Sequence, residues 1–167
     1  MTVRPIRLLG DPVLRTPAEP VTSFDAALHS LVDDLMDTLT RVPGRAGVAA
    51  PQIGVGLRVF VFSAGGVTGH LVNPEVTVSE ESQEGEEACL SVPGLGFATR
   101  RAAHAVATGF DRYGEPVTVS GSGFLARALQ HEADHLDGRL YLDRLTGDVR
   151  RQALRAVRAA SWANRPR

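Results

Sequence analysis

Gln130-His131-Glu132-Ala133-Asp134-His135-Leu136-Asp137-Gly138 decides how the rest of the chain is read. Two histidines four residues apart on a helix share one face, close enough for both imidazoles to reach a single cation. Glu132 projects beside them toward a water polarised by that cation. Around this run Phe124, Leu125, Ala128, Leu129, Leu136 and Leu140 recur at helical intervals. The segment therefore reads as an amphipathic, partly buried helix, where imidazoles without partners would be costly. The chemistry this implies is metal-dependent hydrolysis.

The remaining ligand sets the class of enzyme. Zinc peptidases with this motif complete the shell downstream, with a third histidine or a later glutamate. Here Tyr141 stands where that histidine would fall, and no glutamate follows Glu132. The ligand must lie upstream, and the single cysteine, Cys89 in Glu86-Glu87-Ala88-Cys89-Leu90-Ser91, is the economical choice. A thiolate is a strong ligand for first-row divalent metals, and a lone cysteine cannot close an intramolecular disulfide. Cys89, His131 and His135 would leave a fourth position open, as a catalytic site requires. A third stretch, Gly47-Val48-Ala49-Ala50-Pro51-Gln52-Ile53-Gly54, keeps its backbone uncluttered for an extended ligand and offers the Gln52 amide as a donor.

Taken together, these three segments resemble the bacterial peptide deformylases. That family carries, in order, a Gly-x-Gly-x-Ala-Ala-x-Gln loop, a Glu-Gly-Cys-Leu-Ser strand and a Gln-His-Glu-x-Asp-His helix. The likeness extends to Arg7 through Leu14 and to Leu136 through Leu145, so nearly the whole chain is covered. The resemblance implies hydrolysis of the formyl group from N-formylmethionyl peptides, with Glu132 as proton carrier. It also implies that the Gln52 amide and the Leu90 backbone N–H face the developing oxyanion. The native metal would be Fe²⁺, replaceable by Zn²⁺, Ni²⁺ or Co²⁺. The peptide would lie as an added strand between the loop Arg45-Ala46-Gly47 and Glu87-Ala88, its methionine side chain in a pocket bordered by Ala46, Phe124, Ala128 and the His131 ring.

Two positions depart from the family pattern. Arg45 stands for the first loop glycine and Ala88 for the glycine before the cysteine. If Ala88 needed a positive φ, its Cβ would strain the strand by about 1 kcal/mol. These departures leave open a paralogue with an altered groove, acting on another formylated molecule or tolerating hydroxamate inhibitors. A third reading, a non-catalytic metal-stabilised binding protein, does not explain why Glu132 is retained.

With 167 residues, 43% hydrophobic content and a formal charge of -1, the chain suits one catalytic domain over 1–167 with no overall pull toward nucleic acid. The absence of a long apolar run, an N-terminus unlike a secretory signal and the lone cysteine point to the cytoplasm with no membrane partner; a monomer is the expected state. The expected fold is α+β, with antiparallel or mixed sheets around a central metal-binding helix and with N- and C-terminal helices. Phe24–Arg41 reads as the first helix, capped by Ser23 and stopped at Pro43-Gly44. Strands are expected at Arg58–Phe62, His70–Val72, Glu75–Ser79, Ala105–Phe110 and Val117–Val119, with turns at Gly65-Gly66, Asn73-Pro74 and Tyr113-Gly114. Asp148–Ala163 reads as a last helix whose Arg150, Arg151, Arg155 and Arg158 form either a solvated face or a dock for ribosomal RNA. His29, His70 and His104 read as surface or core residues.

Overall fold

The computed structural model describes residues 2–164. The first helix, α1 (Ala26–Thr40), buries Leu28, Leu31, Val32, Leu35 and Leu39 along one stripe. Asp25, not Ser23, caps it: its carboxylate accepts the Leu28 N–H at 3.1 Å, so the helix starts two residues later than the apolar pattern suggested.

The chain then lays down β1 (Gly47–Ala49), β2 (Val59–Ala64), β3 (Val67–Val78), β4 (Ser82–Gln83), β5 (Glu86–Ala88), β6 (Gly96–Ala98), β7 (Arg101–Ala102), β8 (His104–Phe110) and β9 (Pro116–Ser122). Five of these form one sheet in the order β1-β2-β3-β8-β9, while β4 pairs with β7 and β5 with β6. All of these pairings are antiparallel. Helices α2 (Gly123–Leu136) and α3 (Gly147–Ala159) complete the α+β architecture.

Strand β2 explains why the layers stack as they do. Side chains alternate across a strand, and here both faces are apolar. Val59 and Val61 pack into the cluster built by α1, together with Val48, Ile53 and Val72. Phe60 and Phe62 point the other way, into the cluster built by Leu125 and Leu129 of α2 with Leu71, Ala105 and Ala107. Each fully buried phenylalanine contributes roughly 1.5–3 kcal/mol, so the two rings alone anchor the metal-motif helix firmly to the sheet. A third cluster joins Cys89, Val92, Tyr141, Leu142, Leu145 and Ala153, and ties α3 to the region around the cysteine.

Two expectations change at the level of elements. Asn73-Pro74 is not a turn between two strands: β3 runs through it, with a register shift against β8 between Val72 and Glu75. Asn73 takes φ 50°, and its amide pairs with the Val21 backbone in both directions, at 2.8 and 2.9 Å. Opposite this bulge Gly109 is required, since a Cβ there would lie 2.8 Å from the Val72 carbonyl oxygen. The C-terminal helix also ends early. Ala160 is extended at ψ 134°, and a 3-10 turn, Ser161–Asn164, follows it. Among the described residues, no helix is long and apolar enough to cross a membrane.

Candidate active site

Helix α2 carries the His-Glu-x-x-His run against the sheet, and His131, Glu132 and His135 are all buried. Cys89 follows directly on β5 and is buried as well. The ligand atoms of Cys89, His131 and His135 lie within 4.8 Å of one another. His131 Nε2 is 3.2 Å from His135 Nε2, which is 3.4 Å from Cys89 Sγ. A tetrahedral ion with ordinary Zn–N and Zn–S bonds would space such atoms roughly 3.3 and 3.6 Å apart. These separations match the edges of one coordination polyhedron. The donor set therefore fits one divalent cation.

A chain of charges behind the site orients His131. Its Nδ1 meets Glu87 Oε2 at 2.7 Å, the contact that fixes which ring nitrogen faces the cysteine. Arg101 grips the Glu87 carboxylate at both oxygens, at 2.9 and 2.6 Å, while Arg127 reaches it at 2.8 Å. Arg101 also donates to Asp134 at 2.7 Å, and Asp134 accepts from Arg144 at 3.1 and 2.6 Å. Burial alone would raise the Glu87 carboxyl, yet the bonds from Arg101 and His131 hold it well below its ordinary range. Asp134 is likewise lowered, its burial outweighed by Arg144 and Arg101. Both acids thus remain carboxylates. Tyr141, which stands where longer motifs place a histidine, instead stacks behind His131, with ring centroids 6.2 Å apart and planes at 24°.

Glu132 sits on the cavity side of the helix, 3% exposed. Its carboxylate lies directly on the backbone of Gly47, where any Cβ would stand 2.4 Å from Oε1. Burial pushes its carboxyl up to about 7, with the His131 charge opposing and Glu87 reinforcing the shift. Glu132 Oε2 is buried with no protein partner among the described residues. Gln52 is 1% exposed and is held by its own loop: its Oε1 accepts the Ala49 N–H at 3.0 Å. That contact turns its Nε2 toward Ser91 Oγ at 3.1 Å and Cys89 Sγ at 3.8 Å.

These groups open into a cavity of about 720 Å³, lined by Arg45, Ala46, Gly47, Gln52, Glu87, Ala88, Cys89, Leu90, Phe124, Ala128, His131 and Glu132. The sequence-expected residues are thus brought together, with His135 beneath them. Within that set Glu87 places its carboxylate under His131, and Arg45 donates to the Thr38 carbonyl at 2.6 Å. Ala88 is exposed on β5, and among the described non-glycine residues only Asn73 has a positive φ, so the strain considered for Ala88 does not arise. Sequence reasoning passed over Arg101, Asp134, Arg144, Arg127 and Ser91. Asp134 was visible inside the motif, but nothing local paired it with an arginine 33 positions upstream.

Comparison with known proteins agrees with this geometry. The family described as polypeptide deformylase matches residues 3–151. The chain belongs to that family. A peptide deformylase from Acidothermus cellulolyticus is 60% identical over 163 residues, spanning 98% of this chain and 90% of the relative. One from Parafrankia sp. is 54% identical over 169 residues, spanning 100% and 92%. Among solved structures, the peptide deformylase of Thermus thermophilus superposes with a TM-score of 0.87 at 40% identity, covering 94% of each chain. That of Legionella pneumophila gives 0.86 at 39% identity, covering 99% of this chain and 100% of the other. The protein is thus a metal-dependent hydrolase that removes the N-formyl group from formylmethionyl peptides and releases formate.

Proposed function

We propose that Cys89, His131 and His135 hold one divalent cation, natively Fe²⁺, with Zn²⁺, Ni²⁺ or Co²⁺ able to replace it. When bound, such a cation acidifies water toward neutrality and polarises the formyl carbonyl. Glu132 takes the proton of the attacking water and delivers it to the departing nitrogen, so that the C–N bond breaks into formate and a free amine. The Gln52 Nε2 and the Leu90 N–H meet the negative charge that develops on the formyl oxygen. Among the described groups the Leu90 N–H has no hydrogen-bond partner, which suits that role.

The peptide lies along the Arg45-Ala46-Gly47 loop and Glu87-Ala88, and its methionine side chain enters between Ala46, Phe124, Ala128 and His131. The observation that carries this reading is the convergence of three metal-type donors and a buried carboxylate at one cavity. The test is formate release from formyl-Met-Ala-Ser by anaerobically prepared protein of measured metal content. Fully metal-loaded protein without turnover would remove the mechanism.

We further propose that the enzyme acts in the cytoplasm as a monomer on nascent chains, with α3 as the ribosome-facing element. Of its residues only Ala153 is fully buried, and Arg150, Arg151, Arg155 and Arg158 are exposed, Arg151 being paired with Asp148 of the same helix. Co-sedimentation with ribosomes that weakens steeply with salt, and is lost on reversing these charges, is the expected result.

A further inference from the structure

We propose that Trp162 is a positioning residue of the substrate groove: its indole pins the wall Pro93–Leu95, so that the groove grips the peptide residues beyond the formylmethionine. The proposal rests on the deformylase reading of the cavity. Pro93, Gly94 and Leu95 line the same cavity as Cys89, Glu132 and His131. The donor triangle and Glu132 hold the formyl end, and the pocket beside Phe124 and Ala128 takes the methionine. The wall is left to the rest of the peptide.

That wall has little to hold it locally. Its approach is fixed by Leu9 donating to the Ser91 carbonyl at 2.9 Å and by Val92 donating to Cys89 at 2.9 Å. Beyond these, Pro93 has no N–H to give, and Gly94 turns at φ 76°. Trp162 supplies the missing anchor, its Nε1 donating to the Pro93 carbonyl at 2.9 Å across 69 positions of sequence. No other hydrogen bond reaches Pro93 or Gly94 among the described residues. The indole also packs, as do Leu95, Phe97, Val149 and Val157, against the cluster that contains Cys89 and Tyr141.

The end of the chain is built to deliver this contact. Helix α3 stops at Ala159, and extended Ala160 redirects the backbone into the 3-10 turn Ser161–Asn164. Asn164 locks the reversal by donating to the carbonyls of Arg158 at 2.9 Å and Ala160 at 3.1 Å. A helix that simply continued would carry Trp162 away from Pro93.

Trp162 is the only tryptophan in the chain, so its emission reports on the wall directly. Titrating holoenzyme with the product peptide Met-Ala-Ser should change that emission saturably, whereas methionine amide should not. In kinetics, Trp162→Ala should raise KM for formyl-Met-Ala-Ser about 3- to 10-fold, the worth of one lost hydrogen bond, with kcat and metal content unchanged. KM for formylmethionine amide should stay put. Trp162→Phe keeps apolar packing without the donor, so it should fall between, and it carries the test if the alanine variant does not fold. The proposal is overturned by an emission blind to the tripeptide, by unchanged tripeptide KM in both variants, by equal KM increases for the two substrates, or by kcat and metal falling together. A holoenzyme that shows the emission change with Met-Ala-Ser but releases no formate from formyl-Met-Ala-Ser refutes the deformylase mechanism instead.

Discussion

A methyl group added at Gly47 tests the seat of Glu132. In the native structure that Cβ would stand 2.4 Å from Glu132 Oε1, 2.7 Å from Cδ and 2.8 Å from Cγ. Comfortable contacts between such atoms are about 3.5–4.0 Å, so Glu132 or the strand must yield by roughly 1 Å. Rotating the carboxylate alone does not relieve the overlap, because Cγ is also too close. The strand is poorly placed to move: Val48 and Ala49 are fully buried and paired in register with Val61 and Phe60. Overpacking of this kind costs about 1–3 kcal/mol, and each kcal/mol lowers Tm by about 2–4 °C in a chain of this size.

A displacement of about 1 Å in a proton-transferring group costs on the order of 10²-fold in rate. Gly47→Ala should therefore keep its metal and lose about 10²-fold in kcat for formyl-Met-Ala-Ser. Glu132→Gln should lose at least ~10²-fold, again with metal retained, since the amide cannot carry the proton. If Gly47 acts through Glu132, the double variant should be no slower than Glu132→Gln alone. Metal analysis, thermal melting and formate release on the four proteins make the measurement. Near-native kcat in metal-loaded Gly47→Ala, or losses that multiply in the double variant, would refute the reasoning.

Cys89→Ala should lose metal and activity together, read by metal analysis on purified protein, because a whole coordination bond disappears. Arg101→Met removes the cation that bridges the two buried acids, leaving Glu87 to Arg127 and His131 and Asp134 to the more exposed Arg144, so it should destabilise by about 3–5 kcal/mol in denaturant titration and weaken metal affinity about 10- to 100-fold. His70 accepts the Arg112 N–H at 3.0 Å, and burial, followed by the Arg112 charge, lowers its pKa below 6.5. The folded state then binds this proton less readily than the unfolded chain. Its contribution to stability is complete above pH 6.5 and is lost as pH falls from there toward the lowered folded value, so His70→Gln should flatten Tm against pH in that window. Restoring glycine at Ala88 and Arg45 should change KM or hydroxamate inhibition more than kcat, read by steady-state kinetics with formyl peptides.

The parts of this structure that were legible in sequence are those written in a local period. The stripe of leucines in α1 and the histidine spacing of α2 repeat often enough to declare their element and its buried face, and the unbroken β-branched and aromatic run of β2 declares a strand buried on both sides. The strands β4 to β7 do not, being two or three residues long and held by partners elsewhere in the chain. Asn73-Pro74 has the composition of a turn, yet the Asn73 amide, by pairing with Val21, lets a strand pass through it. The charges behind His131 were the least visible part. Glu87, Arg101, Asp134 and Arg144 come from four separate segments, and only the fold reveals that Glu87, named for the groove, turns its carboxylate to the metal-type histidine.

The two departures from the family pattern separate glycines needed by contact from glycines that are not. Ala88 occupies extended backbone opposite Gly96, and its side chain is exposed, so nothing there calls for glycine's range of φ. Arg45 extends its guanidinium to the Thr38 carbonyl, one of the last four of α1, which lack helical partners and favour a cation. Its charge is spent on the helix end instead of beside Glu132. At Gly47 the situation reverses: the neighbouring carboxylate occupies the space a side chain would need, and this glycine is kept. The altered positions therefore leave the donors, the proposed base and its seat intact, and any change they bring falls on the fit of the peptide in the groove.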